Sequence, residues 1–143
     1  ARPPETRAGL DAIGSALGAS PDEVLAARDG FAVYSDADRV RALEPDMAAV
    51  AALDFLGIIA TAPGDDCDFV SRFFAPGAGI PEDPVTGSAH CTLIPYWARR
   101  LGKADLFGRQ ISPRGGEIWC GDRGDRVIIG GHTAFYLEGT ILL

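Results

Sequence analysis

The chain has 143 residues, 47% of them apolar and 23% charged, the balance of an ordinary globular domain with a modest core. Its net charge of −7 argues against a broad phosphate-neutralising surface, so nucleic acid is a poor partner. No apolar run reaches membrane-spanning length, and the polar, Pro-rich start ARPPETRAG does not match a signal peptide. The start also lacks an initiator Met, so the expectation is a chain that is processed, trimmed or a piece of something longer. Its three cysteines, Cys67, Cys91 and Cys120, show no CxxC spacing. That argues against a disulfide framework or a zinc site and for free thiols in a cytoplasmic protein.

Residues 1–9 read as an extended lead-in or a cut linker, and residues 10–143 as one domain. Leu10 to Asp29 reads as two short helical pieces. The second has Ser20 as N-cap, Pro21 at the first helical position, Glu23 at the third, and Gly30 as its stop. Phe31 to Ser35 alternates as a strand. A short helix is expected from Asp36 to Leu43, capped by Asp36 or Asp38, and an amphipathic one from Pro45 to Leu53. Gly57 ends it, GIIATAP follows as a buried strand, GDDCD as a turn, and Phe69 to Pro76 as the next strand. After Leu101 the pattern is β again: FGRQISPR up to the pair Gly115-Gly116, then EIWCG, RVIIGG and HTAFYLEGTILL. The turn spacing suggests an antiparallel meander, and the whole an α+β fold.

Between these halves lies GIPEDPVTGSAHCTLIPYWARRLGK, Gly79 to Lys103. From Ser88 to Leu101 the polar residues are few, and apolar ones occupy every direction of the helical wheel. Such a helix is buried on most sides. Its natural host is a curled, largely antiparallel sheet wrapped around it as a buried central helix. Pro95 inside it removes the donor for the Cys91 carbonyl and predicts a kink. Gly102 is the stop.

The entrance to this helix holds Asp83, Thr86, Gly87, Ser88 and Ala89. First-turn amides lack intrahelical partners and favour an anion, and Gly87 permits close approach to the backbone. Asp83 can cap amides or reach a ligand. The arrangement suits a small carboxylate, yet Asp, Thr and Ser before a helix are also ordinary N-caps. His90 lies two positions after Ser88 and does not face it, so a Ser/His nucleophilic pair is not expected, and no G-x-S-x-G elbow is present. His132 reads as a strand-end surface residue. Arg114 can hold an anion or a surface ion pair.

The motif E-D-P-x-T-G-S-A-H, followed by P-Y-W, by QISPRGGEI, by DRVIIGG and by the late Gly139, resembles the C-terminal half of the PhzF family of phenazine-biosynthesis-like isomerases. The resemblance is dense from Phe73 onward and thinner before it. It implies a diaminopimelate epimerase-like fold of two similar domains, with the active site in the cleft between them. It implies cofactor-free movement of a proton or double bond in a small carboxylic acid, with no metal. Asp83 and Ser88 then match catalytic positions, and Thr86, Gly87, Ser88 and Ala89 the substrate-binding turn. The related epimerases use a cysteine where this chain has Asp83, which makes epimerisation the lesser alternative. A non-catalytic anion-binding or assembly module is another. The family's acid–base glutamate and its histidine partner belong to the N-terminal half. An N-terminal half domain, or a second copy in a homodimer, is therefore the expected partner completing the cleft.

Overall fold

The computed structural model describes residues 2–6 and 10–141. Eight strands form one open sheet in the order β1-β2-β3-β4-β6-β7-β8, with β5 paired to β4 off the main path. They are β1 (Glu23–Ala26), β2 (Gly30–Val33), β3 (Ile58–Pro63), β4 (Phe69–Ala75), β5 (Ile80–Glu82), β6 (Asp105–Gln110), β7 (Gly116–Arg123) and β8 (Arg126–Gly130). Only β2–β3 and β4–β6 run parallel; the other neighbours are antiparallel. The expected α+β class, with a largely antiparallel sheet and a β6–β7–β8 meander, is what forms.

Strand alternation builds two cores from one sheet. Val70 and Phe74 of β4 point to the face covered by α1 (Ala12–Leu17), α2 (Ala37–Arg41) and α3 (Met47–Ala51). Phe69 and Phe73 point to the other face, against α4 (Gly87–Leu101). Every strand on the path from β1 to β8 gives side chains to the α4 cluster, from Leu25 of β1 to Val127 of β8. The sheet therefore curls around α4. Trp97 lies at its centre, 1% exposed. It stacks on Phe69 at 5.9 Å with its ring parallel to within 2°, and its indole N–H donates to Thr61 Oγ1 at 3.0 Å.

α4 runs through Pro95 without a break. The carbonyl of Cys91, deprived of its usual donor by that proline, accepts the Arg2 backbone N–H at 3.3 Å. Arg2 thus lies against the helix, and Glu5 pairs with Ala26 as a one-residue extension of the sheet. α4 does have an outside: Ser88, Cys91, Arg99 and Arg100 are exposed.

Three expectations need correction or completion. Ser20 to Asp29 is not a helix. Glu23–Ala26 instead forms an antiparallel hairpin with β2, with Leu25 and Ala26 buried. Its capping signal is weak beside ladder pairing and burial, which settle a segment this short. The segment from His132 to Ile141, read as a strand, has no regular structure, and Tyr136 is 96% exposed. A strand needs a neighbour, and among the described residues none pairs with it. Between β4 and α4 the chain adds β5 and a 3-10 turn, Pro76–Ala78, both too short to leave a periodic signal.

Candidate active site at the mouth of α4

β5 hands the chain to Asp83, whose amide donates to Phe73 O at 3.0 Å. Just before it, Glu82 holds Arg72 through paired bonds of 2.8 and 2.9 Å. The following loop folds onto Gln110, at the end of β6 and 1% exposed. Its Oε1 accepts the Thr86 amide at 2.8 Å. Its Nε2 donates to Asp83 O at 2.6 Å and to Thr86 Oγ1 at 3.1 Å. The amide orientation follows from its partners, because only oxygen can accept from the Thr86 N–H. With Thr86 Oγ1 accepting from Gln110, the hydroxyl proton goes to Asp83 Oδ2, 2.7 Å away. One carboxylate oxygen is held by the loop, and the other receives no hydrogen bond from the described residues.

Thr86 is the N-cap residue in extended conformation, yet it makes no side-chain cap. Asp83 does not cap α4 either, since it binds the Thr86 hydroxyl. Thr86 and Ala89 are buried, whereas Gly87 and Ser88 are exposed. Of the expected substrate-binding turn, Thr86 is engaged internally through both amide and hydroxyl, and Gly87 and Ser88 are what the surface presents. No side chain among the described residues accepts from the amides of Gly87 or Ser88. A Cβ at Gly87 would meet nothing within 4 Å, so the backbone there is open to close approach by a ligand.

Ser88 has a neighbour that sequence reasoning missed. Arg28, in the β1–β2 turn, donates through Nη2 to Ser88 Oγ at 3.0 Å. No periodicity marks it, because the contact depends on a hairpin that was read as a helix. On the other side of the loop, a groove of about 420 Å³ is lined by Val85, Arg114, Gly116 and His132 among others. Arg114 makes no ion pair among the described residues. His132 is exposed, as expected, and meets Trp119 edge-on at 4.7 Å.

His90 is not part of this surface. It is fully buried, its Nδ1 lies 2.7 Å from Thr86 O, and its ring is 5.9 Å from Phe69. A carbonyl can only accept, so Nδ1 carries the proton and Nε2 is a buried acceptor without a donor. Burial pulls its pKa below the usual histidine value, outweighing the Thr86 bond. The unfolded chain then binds a proton near pH 6.5 that the native state refuses, so stability falls as pH drops below that point and is retained above it. Urea unfolding from pH 7.5 to 5 should show this, with a contribution of at most about 1.4 kcal/mol per pH unit. The His90→Asn variant keeps a donor for Thr86 O and should lose that part of the slope. An unchanged slope would show that His90 does not titrate on unfolding.

Cys67, Cys91 and Cys120 are free thiols. Burial pushes Cys120 up to about 12, an inert thiol at neutral pH. No helix among the described residues is long and apolar enough to cross a membrane.

A curled, largely antiparallel sheet around a helix whose mouth carries an acid and a hydroxyl defines an α+β protein. The family described as phenazine biosynthesis-like protein, PhzC-PhzF, matches residues 12–139, and the chain belongs to it. An uncharacterised isomerase of Pseudomonas aeruginosa is 54% identical over 129 residues, covering 90% of this chain and 49% of that protein. A second from the same organism is 46% identical over 143 residues, covering all of this chain and 55% of that one. The crystal structure of a PhzF-family protein from Enterococcus faecalis superposes with a TM-score of 0.87 at 47% identity, covering 91% of this chain and 50% of that one. A PhzC/PhzF protein from Clostridium difficile gives 0.85 at 38% identity, covering 99% and 55%. The chain thus spans about half the length of these relatives.

Proposed function

We propose that the chain is one half of a cofactor-independent isomerase that moves a proton or a double bond in a small carboxylic acid. Gly87 and Ser88 receive the substrate carboxylate at the N-terminus of α4, where backbone donors and the helix dipole favour an anion. Asp83 relays a proton or orients the reacting carbon. Its free oxygen faces the substrate while the Thr86 hydroxyl fixes the other. The diaminopimelate epimerase-like pairing of two such halves, the completing N-terminal half domain or homodimer mate, and a cytoplasmic setting belong to the same proposal. A facing half matters because a carboxylate moves protons efficiently only when water is excluded and its basicity is set by its surroundings.

The observation that carries this reading is the uncapped, outward-facing pair Gly87-Ser88 beside a carboxylate held by one oxygen only. Half-length coverage of relatives that are themselves named isomerases supports it. The test is turnover of an unsaturated carboxylic acid panel, followed as solvent deuterium uptake, with and without the completing half. The completed protein should exchange and the lone chain should not. Asp83→Ala should lower the completed protein's rate by about 10²-fold or more. Full activity in that variant removes Asp83 from the chemistry. Carboxylate binding without exchange in any form would favour the non-catalytic binding module.

A further inference from the structure

Arg28 sits in a cavity of about 300 Å³ lined by Arg2, Ala27, Asp29, Ser88, Cys91 and Thr92. Its guanidinium is anchored from below by Asp29, which is 1% exposed. Nε donates to Asp29 Oδ1 at 3.2 Å and Nη2 to Oδ2 at 2.7 Å. The remaining Nη2 hydrogen reaches Ser88 Oγ at 3.0 Å. Of the five N–H donors of a guanidinium, these bonds use three. The two on Nη1 have no partner among the described residues, and the side chain is 51% exposed. A buried carboxylate that pins one edge of an arginine and leaves the other edge open gives the guanidinium a fixed aim, with little side-chain entropy left to lose on binding. Ser88 Oγ, accepting from Arg28, keeps its own proton to give to something else.

We propose that Arg28 is a substrate-binding residue. Its Nη1 edge and the Ser88 hydroxyl form a clamp for a carboxylate in this cavity, contributed by the β1–β2 hairpin and separate from Asp83. The inference rests on the reading of the α4 mouth as a carboxylate site and adds the cationic side chain that reading lacks. The ligand class follows from the donors: a planar oxyanion accepts from a guanidinium edge and a hydroxyl through two charged oxygens, whereas its neutral amide offers one uncharged oxygen and a surplus of N–H donors, and binds more weakly. The neighbouring Asp29 offsets the arginine's charge, so the fit is to a single carboxylate and not to a multiply charged phosphate.

The experiment is titration of the chain with benzoate, and with benzamide as the uncharged control, followed by ¹⁵N NMR of the Gly87 and Ser88 amides and the Arg28 side chain. Benzoate should shift all three and benzamide none. In the pair Arg28→Gln/Asp29→Asn, which leaves no charge unpaired on the cavity floor, benzoate affinity should fall roughly tenfold or more. Arg28→Lys keeps the charge but not the fork; it should lie between and serves if the paired variant does not fold. Equal benzoate affinity in the wild type and these variants, with Gly87 and Ser88 still shifting, overturns the role of Arg28 and leaves the α4 mouth intact as a site. Absence of benzoate binding by the wild-type chain at millimolar concentration overturns both.

Discussion

Trp97→Ala should destabilise the chain by about 4 kcal/mol. The indole lies where the curled sheet closes on α4, 1% exposed, stacked on Phe69 and bonded to Thr61. Truncating it removes most of the helix's central contact and opens a cavity bounded by strands that cannot close in without breaking their ladders. Thr61 tolerates the loss of the indole N–H, because its hydroxyl still donates to Val70 O at 2.7 Å. The energetic effect is therefore one of volume. Trp97→Phe, which keeps an aromatic ring against Phe69, should cost roughly half as much. Urea unfolding of the pair checks this. A domain of this size commonly holds roughly 5–15 kcal/mol, so the alanine variant should sit close to unfolding. A loss below about 1.5 kcal/mol for it would show that α4 is not the centre of the core.

Arg72→Ala should cost about 3 kcal/mol, for an electrostatic reason. Arg72 and Glu82 are largely buried, at 12% and 13% side-chain exposure. The guanidinium lies over the Phe74 ring at 4.8 Å and also donates to Leu43 O at 2.9 Å, just past the C-terminus of α2. Its removal strands the Glu82 carboxylate and a carbonyl together. Glu82→Gln should cost less, because the amide oxygen still accepts from Arg72 and the backbone acceptors remain. If Glu82→Gln is neutral while Arg72→Ala still costs about 3 kcal/mol, the interaction is packing and backbone bonding of the arginine and not a paired charge. Glu82 immediately precedes Asp83, so the Arg72 variant should also loosen the loop that carries the acid.

The architecture around α4 was legible because it rests on period and punctuation. An apolar wheel from Ala89 to Ala98, Asp36 as a true N-cap whose side chain accepts the Arg39 amide at 2.9 Å, and Gly102 in the left-handed conformation at the helix end each leave a local trace. Glu23–Ala26 misled because a capping-box pattern is local while strand pairing is not. The ladder to β2 and the contact of Leu25 with the α4 cluster decide that segment. The site was half legible. Asp83, Gly87 and Ser88 stand out by spacing around a helix start. Gln110 and Arg28 do not, since their roles arise from partners 24 to 60 residues away in the chain. A glutamine at an inward strand position was the one available hint of a buried polar group needing a loop to satisfy it. The exposed Phe135, Tyr136 and Leu137 read as a strand for a sound reason, since their apolar character calls for a partner.

The central claim is that the α4 mouth receives a carboxylate in front of Asp83. Its most direct test is a crystal structure of the completed two-half protein with a bound unsaturated carboxylic acid. The expected electron density places a carboxylate oxygen about 2.7–3.1 Å from the Gly87 or Ser88 amide, with the unbound Asp83 oxygen turned toward the substrate's carbon chain. A carboxylate seated away from these amides, or a mouth of α4 covered by the other half with no ligand in it, would contradict the account.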